Sequence, residues 1–448
     1  MLFKPYPGVK HNHQKIPAAF THAAYPGITA RSLRRSKQGK RFPYAGSENI
    51  IYLPGFFHPA DMDGEGKKEN MNVRRYVPFG SLRYPGLTIK AGRKVINMTL
   101  LSGLSALLSG CHFSYILHSA KGQYRVLADT VPMTKAMANP AMPPADHDKL
   151  LWVRQVRSYA QKTVGLKTGR SYLGFYDTRG NPAVWNLSAS RKDAFEPYSW
   201  TFPIVGKFDY LGYFDKGLAE RQARRLEEQG YDTVIYGAAA YSTAGWFPDP
   251  FFSSLLRYDK PTLAEIVIHE LAHNTVFTKN DSDFTESVAN FVGKTGAQEF
   301  IKSVAGDNSE LYRQALDNAE DQAMLNDFLD RLHQDLNAFY GRKDLSSAEK
   351  IAQRDRIFLA HRERFKIEIL PRFHRPQAMK TWENLPVNNA QILLNRRYNR
   401  QTDLFDKVYR ACQGNLNRAV GVFAQAAKSG NAWRHLENWL NNQPHAST

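Results

Sequence analysis

His269, Glu270 and His273 stand in the order His-Glu-Leu-Ala-His, and a helix places residues four apart one above the other on a single face. Two imidazoles at that spacing can grip one metal ion without bending the backbone, and the Glu270 carboxylate can reach a water held by the same ion. Zinc suits such a set. It lowers the pKa of its water toward neutrality, and a carboxylate base beside it completes a nucleophile able to attack a peptide carbonyl. The sequence therefore predicts His269 and His273 as metal ligands and Glu270 as the base. The bland alternative is a pair of hydrogen-bonded core histidines with a glutamate at the surface.

The flanking residues favour the metal. Thr262 and Glu265 have the Thr-x-x-Glu spacing of a capping box, so a helix is expected to start near Thr262. Ile266, Val267, Leu271 and Val276 then supply an apolar stripe that would bury it. Imidazoles and a carboxylate in a buried helix are costly unless something satisfies them. A catalytic zinc usually takes three protein ligands, and the third is sought downstream. The polar run Asn280–Asp283 reads as a turn, and Phe284, Val288, Phe291 and Val292 as the stripe of a second helix. Glu286 falls near the start of that helix beside the small Ala289, and it is the expected third ligand. Asp281, Asp283 and Glu299 are the alternatives, and Glu286 could instead serve a capping box with Asp283.

The stretch HELAHNTVFTKNDSDFTESVANFVGKTG resembles the core of a bacterial family described as putative aminopeptidases, zinc-dependent and often lipid-anchored. The likeness extends over roughly residues 110–430, through Gly110-Cys111, Gly122-Gln123, Glu196-Pro197, the run Phe202–Gly206, Gly212–Asp215, Ala240–Phe247, Asp249-Pro250 and Asn388–Ala390. It implies that His269, His273 and Glu286 hold zinc, with Glu270 as base. Two positions depart from the family pattern: Thr285 stands where an Asn usually precedes the ligand Glu, and Gly293 where an acidic residue is common.

Upstream, Tyr231–Tyr236 is rich in β-branched and aromatic residues and reads as a strand, followed by small residues from Gly237 to Ser242. Zinc peptidases generally pair such an edge with the substrate backbone, so Ala239, Ala240, Ser242 and Thr243 are expected to line a peptide cleft. Tyr241 is the expected donor to the developing oxyanion, its alternative being a packed aromatic. Tyr398 is a second candidate for that role.

Two cysteines, Cys111 and Cys412, imply no disulfide framework. Cys111 ends the run Leu-Leu-Ser-Gly-Cys, behind an apolar segment from Val95 to Leu108 headed by Lys90, Arg93 and Lys94. That pattern is a lipoprotein signal over 95–110, too short for an ordinary spanning helix. Acylation of Cys111 would tether the chain to a membrane, and the expected place is the cell envelope of a Gram-negative bacterium, facing the periplasm. His112 after the cysteine favours the outer membrane over the inner. Cys412 reads as a small buried hydrophobe. Residues 1–94 are read as a mis-started or unstructured prefix. Residues 1–110 hold 17 Lys and Arg against 5 Asp and Glu, leaving 43 against 37 for the remainder, so the formal charge of +18 belongs mostly to the prefix. Nucleic-acid binding thereby loses its main support.

The predicted fold class is α+β: a zincin-like catalytic region over 111–300 with a small sheet and an active-site helix, an antiparallel helical hairpin over 301–370, and a helical region over 371–448. Within the hairpin, 309–340 and 347–370 carry helical spacing and Gly341–Ser346 divides them. The sheet lies between Tyr172 and Tyr241, interrupted by a helix near Lys216–Gln229. The expected substrate is a peptide. A metal-dependent cell-wall amide hydrolase and a non-catalytic zinc or peptide-binding lipoprotein are the rival readings.

Overall fold

The computed structural model describes residues 111–202, 206–238, 240–241, 247–278, 281–377, 379 and 387–443. The expectations placed on 1–110, Ala239, Ser242 and Thr243 lie outside these residues, as does the side chain of Cys111. In chain order the elements are α1 (Cys111–Asp129), β1 (Val131–Pro132), α2 (Met133–Met137), α3 (Pro144–Lys162), β2 (Gly174–Tyr176), β3 (Val184–Arg191), β4 (Trp200–Phe202), β5 (Gly206–Phe208), β6 (Leu211–Tyr213), α4 (Lys216–Glu228), β7 (Tyr231–Ala238) and β8 (Phe251–Phe252). After β8 the chain is helical: α5 (Lys260–Ala272), α6 (Ser282–Ala305), α7 (Glu310–Tyr340), α8 (Ser347–Arg364), α9 (Asn389–Tyr398), α10 (Thr402–Ala411), α11 (Leu416–Ala426) and α12 (Ala432–Asn441). The class is α+β, with small sheets set against many helices.

Helix α5 starts earlier than its capping-box spacing predicts. Asp259 is the N-cap, its carboxylate accepting from the Thr262 amide at 3.0 Å, and Pro261 sits in the first turn, where its missing N–H is no loss. Thr262 is therefore inside the helix and buried. The stripe of Ile266, Val267, Leu271 and Val276 is buried as expected, but so are Leu263, Ala264, Ile268 and Ala272. The helix is enclosed on nearly every side, and α3, α6 and α7 all pack on it. Helix α6 is capped by Asp281, which accepts from the Phe284 amide at 2.9 Å. Asp283 and Glu286 thus form no capping box, and the Glu286 side chain is left for other work. The α5–α6 contact is close at Gly293, where an added Cβ would lie 3.0 Å from both the Glu265 carbonyl and the His269 Cβ. An acidic side chain at this position, which the resemblance leads one to expect, would crowd both neighbours unless the helices parted.

Strand β3 is central in the sheet β6-β3-β7, both pairings antiparallel, with Trp185 opposite Gly237 and Ala189 opposite Thr233. Alternate residues of β7 point inward, Val234, Tyr236 and Ala238 among them, against the buried face of α9 that carries Ala390, Leu394 and Tyr398. At the start of α9, Asn388 donates from Nδ2 to the Thr233 carbonyl at 2.9 Å. Helices α7 and α8 run antiparallel, with His361 against Asp335 and Phe328 against Phe365. Ser346 and Glu349 form the capping box that opens α8, and a π turn, Phe365–Ile369, continues it. Cys412 is buried in the main core.

One buried ion pair ties this hairpin to the sheet. Arg354 on α8 donates to both oxygens of Asp232 on β7, at 2.6 and 2.7 Å, and the Asn389 amide donates to the same carboxylate at 3.1 Å. Both side chains are buried, so removing one leaves the other as an uncompensated charge. Arg354→Met is expected to lower unfolding free energy by about 3–5 kcal/mol in urea titration. Loss of under 1 kcal/mol would show that the hairpin docks without this pair.

Candidate metal centre

The last turn of α5 presents the two histidines. His269 lies within the helix, and His273 is its C-cap in right-handed helical conformation, so the four-residue spacing still stacks them on one face. Their rings are 5.0 Å apart and nearly perpendicular. Glu286 comes from the second turn of α6, which Ala289 and Gly293 allow to lie close to α5. Its Oε2 is 3.4 Å from His269 Nε2 and 3.6 Å from His273 Nε2. One ligand atom from each of the three residues lies within 4.8 Å of the others, and all three side chains are buried. These residues could hold a metal ion.

Two observations bear on that fit. Glu286 Oε2 is buried and has no hydrogen-bond partner, because the imidazole nitrogens stand too far off or too poorly aligned to donate to it. A buried carboxylate oxygen in that condition is costly. The spacing also matches: two ligand atoms around a tetrahedral ion with bonds of about 2.1 Å are separated by roughly 3.4 Å. The donor set of two nitrogens and a carboxylate oxygen is one that zinc accepts.

The charges at the site are coupled. Burial acts to raise the Glu286 carboxyl, but His273 and His269 beside it hold it well below the usual carboxylate range. For His273, burial acts downward and is outweighed by Glu286, with Glu270 and Asp249 adding to the rise. Burial pushes Glu270 up, the two histidines oppose this, and Glu286 and Asp249 reinforce it. Glu270 is only partly buried, whereas Glu286 is buried. A raised proton affinity is what a general base requires.

The three alternative ligands are engaged elsewhere. Asp281 caps α6 and accepts from Trp433 Nε1 at 2.8 Å. Asp283 pairs with Arg400 at 3.0 Å. Glu299 accepts from the hydroxyls of Tyr159 and Tyr409 at 3.1 and 2.7 Å. Tyr241 donates its hydroxyl to Gln123 Oε1 at 2.9 Å and packs on Phe252 and Phe214, a packed aromatic with its donor in use. Ala240 is buried in the main core, which leaves its backbone alone to meet a substrate.

Tyr398, the second candidate for the oxyanion donor, stands beside the cluster together with residues that the sequence does not single out. The Tyr398 ring lies 6.0 Å from that of His269. Burial, then the Glu286 charge, pushes its hydroxyl well above the ordinary value. Tyr210 is raised by the same two causes in the same order. Tyr236 is pushed up to about 12, again by burial first, with Arg397 opposing and Glu286 adding. Tyr172, buried with a positive φ of 61°, is raised by burial, then by Glu270 and Asp249. These phenols stay protonated and can donate. Arg397, buried, sits over the Tyr210 ring at 5.0 Å. Of these, the sequence names Tyr398, and Asp249 carries a signal through the run Phe247-x-Asp249-Pro250.

Loss of a ligand should weaken metal binding by more than the roughly 10–100-fold that loss of an outer partner brings. Glu286→Ala is therefore expected to leave the purified protein with little metal by elemental analysis after reconstitution. Gly293→Ala, which presses on His269, is expected to weaken binding by roughly 10-fold. Full retention of metal by Glu286→Ala would remove Glu286 from the ligand set.

No curated protein and no solved structure matches the chain. A family model described as "Putative aminopeptidase" matches residues 114–437, a span that runs from α1 into α12 and takes in the whole cluster. The chain belongs to the putative aminopeptidase family.

Proposed function

We propose that the protein is a zinc metallopeptidase with a zincin-like core, an aminopeptidase of the bacterial cell envelope. The observation that carries this reading is the buried, unpartnered oxygen of Glu286 facing two imidazoles across 3.4 and 3.6 Å. His269, His273 and Glu286 would hold the ion. Zinc bound there would supply a water of lowered pKa and polarise the scissile carbonyl. Glu270, partly exposed and of raised proton affinity, takes the proton from the attacking water and returns it to the leaving amine. Tyr398, kept protonated beside His269, donates to the oxyanion. We favour it over Tyr241, whose hydroxyl is held by Gln123. The substrate backbone lies along β7, which is an edge strand among the described residues.

The envelope part of the reading rests on sequence. The basic head, the apolar run Val95–Leu108 and Leu107–Cys111 fit a lipoprotein signal, with Cys111 the acylated residue. Among the described residues no helix is long and apolar enough to cross a membrane, and a lipid tether at Cys111 calls for none.

The test is hydrolysis of a peptide library by the zinc-loaded protein and by Glu270→Gln. The variant should keep its metal and lose about 10²–10⁴-fold in kcat, as expected for removal of a general base. Tyr398→Phe should lose up to about 10³-fold in kcat, with little change in KM. Equal turnover by wild type and Glu270→Gln would remove the metallopeptidase reading. Unchanged cleavage of peptides with blocked N-termini would make it an endopeptidase instead.

A further inference from the structure

A groove of about 670 Å³ lies far along the chain from the metal ligands, between α1 and α4. Lys121 and Arg125 line it from α1, and Arg221 and Arg225 from α4. Among the described residues none of these four cations is in an ion pair. Glu220, next to Arg221, is paired with Lys216 at 3.8 Å, and the one acid lining the groove, Asp215, caps α4 by accepting from Leu218 at 2.9 Å. Four cations on two helices against the single lining carboxylate of Asp215 leave the groove with a net positive charge, a receptor for anions. Helix α1 is held in place to form one wall. Gly122 lies against Phe214 with no room for a Cβ, and the Tyr115 hydroxyl donates to the Gly212 carbonyl at 3.1 Å.

The outer face of the same wall is apolar. Ile116, Leu117 and Tyr124 are 50%, 53% and 71% exposed. Leu117, Tyr124 and Arg125 each lie three or four residues from Lys121, so they flank it on the helix surface. Exposed aliphatic and aromatic side chains bordered by Lys and Arg are the make-up of a helix lying at a lipid–water interface. In sequence, the apolar run Val95–Leu108 ends just before α1 begins.

We infer that this groove seats the phosphate headgroups of an anionic membrane surface, with Leu117 and Tyr124 entering the lipid boundary beside it. The inference leans on the envelope reading for the presence of a membrane and is independent of the metal site. Such a seat would fix how the protein stands on the membrane, where a lipid chain alone would leave it free to swivel.

The experiment is amide hydrogen exchange on the full zinc-loaded chain, read at residues 114–125 and 216–228. It is run with vesicles of phosphatidylcholine, with vesicles of phosphatidylcholine and phosphatidylglycerol, and with inorganic phosphate. The mixed vesicles should protect both segments, and less so as salt is raised. A variant with Lys121, Arg125, Arg221 and Arg225 all changed to Gln should lose that protection, with vesicle affinity falling about fivefold for each charge removed. Its zinc content should match wild type, which separates failure here from failure of the metal reading. Leu117→Ser with Tyr124→Ser, both at exposed positions, should weaken vesicle binding while leaving the response to inorganic phosphate unchanged. Protection that is equal on neutral vesicles, or that survives in the four-fold variant, would overturn the inference. Equal protection by inorganic phosphate alone would make the groove a free-anion site and overturn the membrane assignment.

Discussion

A carboxylate oxygen without a hydrogen bond, buried between two imidazoles, is the constraint around which the rest of this protein is arranged. Bringing Glu286 to His269 and His273 requires two helices to lie almost in backbone contact, so small residues occupy the seam at Ala289 and Gly293. It also requires that both helices start in register, and aspartates fix both starts, Asp259 for α5 and Asp281 for α6. The far side of α6 is tied down as well. Ser287 donates to the Arg397 carbonyl at 3.0 Å, and Asn290 to that of Tyr398 at 3.0 Å. These bonds hold the C-terminal end of α9, with its tyrosine, against the cluster. The apolar burial along the rest of α5 offsets the cost of so much local polarity, a cost that the low dielectric itself raises.

The surroundings are unusual in their tyrosines. Tyr172 feels the charge of Glu270, while Tyr210, Tyr236 and Tyr398 feel that of Glu286. A phenol near a carboxylate resists ionisation, so these four residues face the site as neutral donors. Arg397 opposes that rise in Tyr210, Tyr236 and Tyr398. Such a wall can stabilise negative charge that develops during a reaction without binding an anion tightly at rest.

The local chemistry of the site was legible because it is written at short range. The four-residue spacing of His269 and His273 needs only a helix, and the polar turn before Phe284 marks the next helix by its own residues. Where several polar residues compete for one role, the sequence misleads. Thr262 and Glu265 satisfy the capping-box spacing, yet Asp259 stands before the Lys-Pro pair that opens the helix and takes the cap. The same ambiguity placed Asp281, Asp283 and Glu299 beside Glu286 as ligands, until their own partners accounted for them. Tyr172, Tyr210 and Tyr236 were invisible for a different reason, and Tyr398 entered only as a second candidate behind Tyr241. The four come from separate elements or loops, and no period in the sequence links them. Tyr241 lay nearer in sequence to the histidines and looked the better donor, but proximity along the chain says nothing of where a hydroxyl finds its acceptor.

The bond from Asn388 to Thr233 has a consequence for reach. The Ala189 carbonyl accepts from Tyr198 on the side of β3 away from β7, and the register pairs Ala189 with Thr233. Every second residue of β7, counted from Thr233, therefore turns its backbone outward to the open edge. Asn388 occupies the Thr233 carbonyl, and from there to the C-terminal end of the described strand Ile235 and Gly237 are the outward positions. A peptide laid along that edge has two rungs before it meets a wall. If the substrate lies along β7 as proposed, the sheet would act as a short ruler, with its stop built from a helix cap.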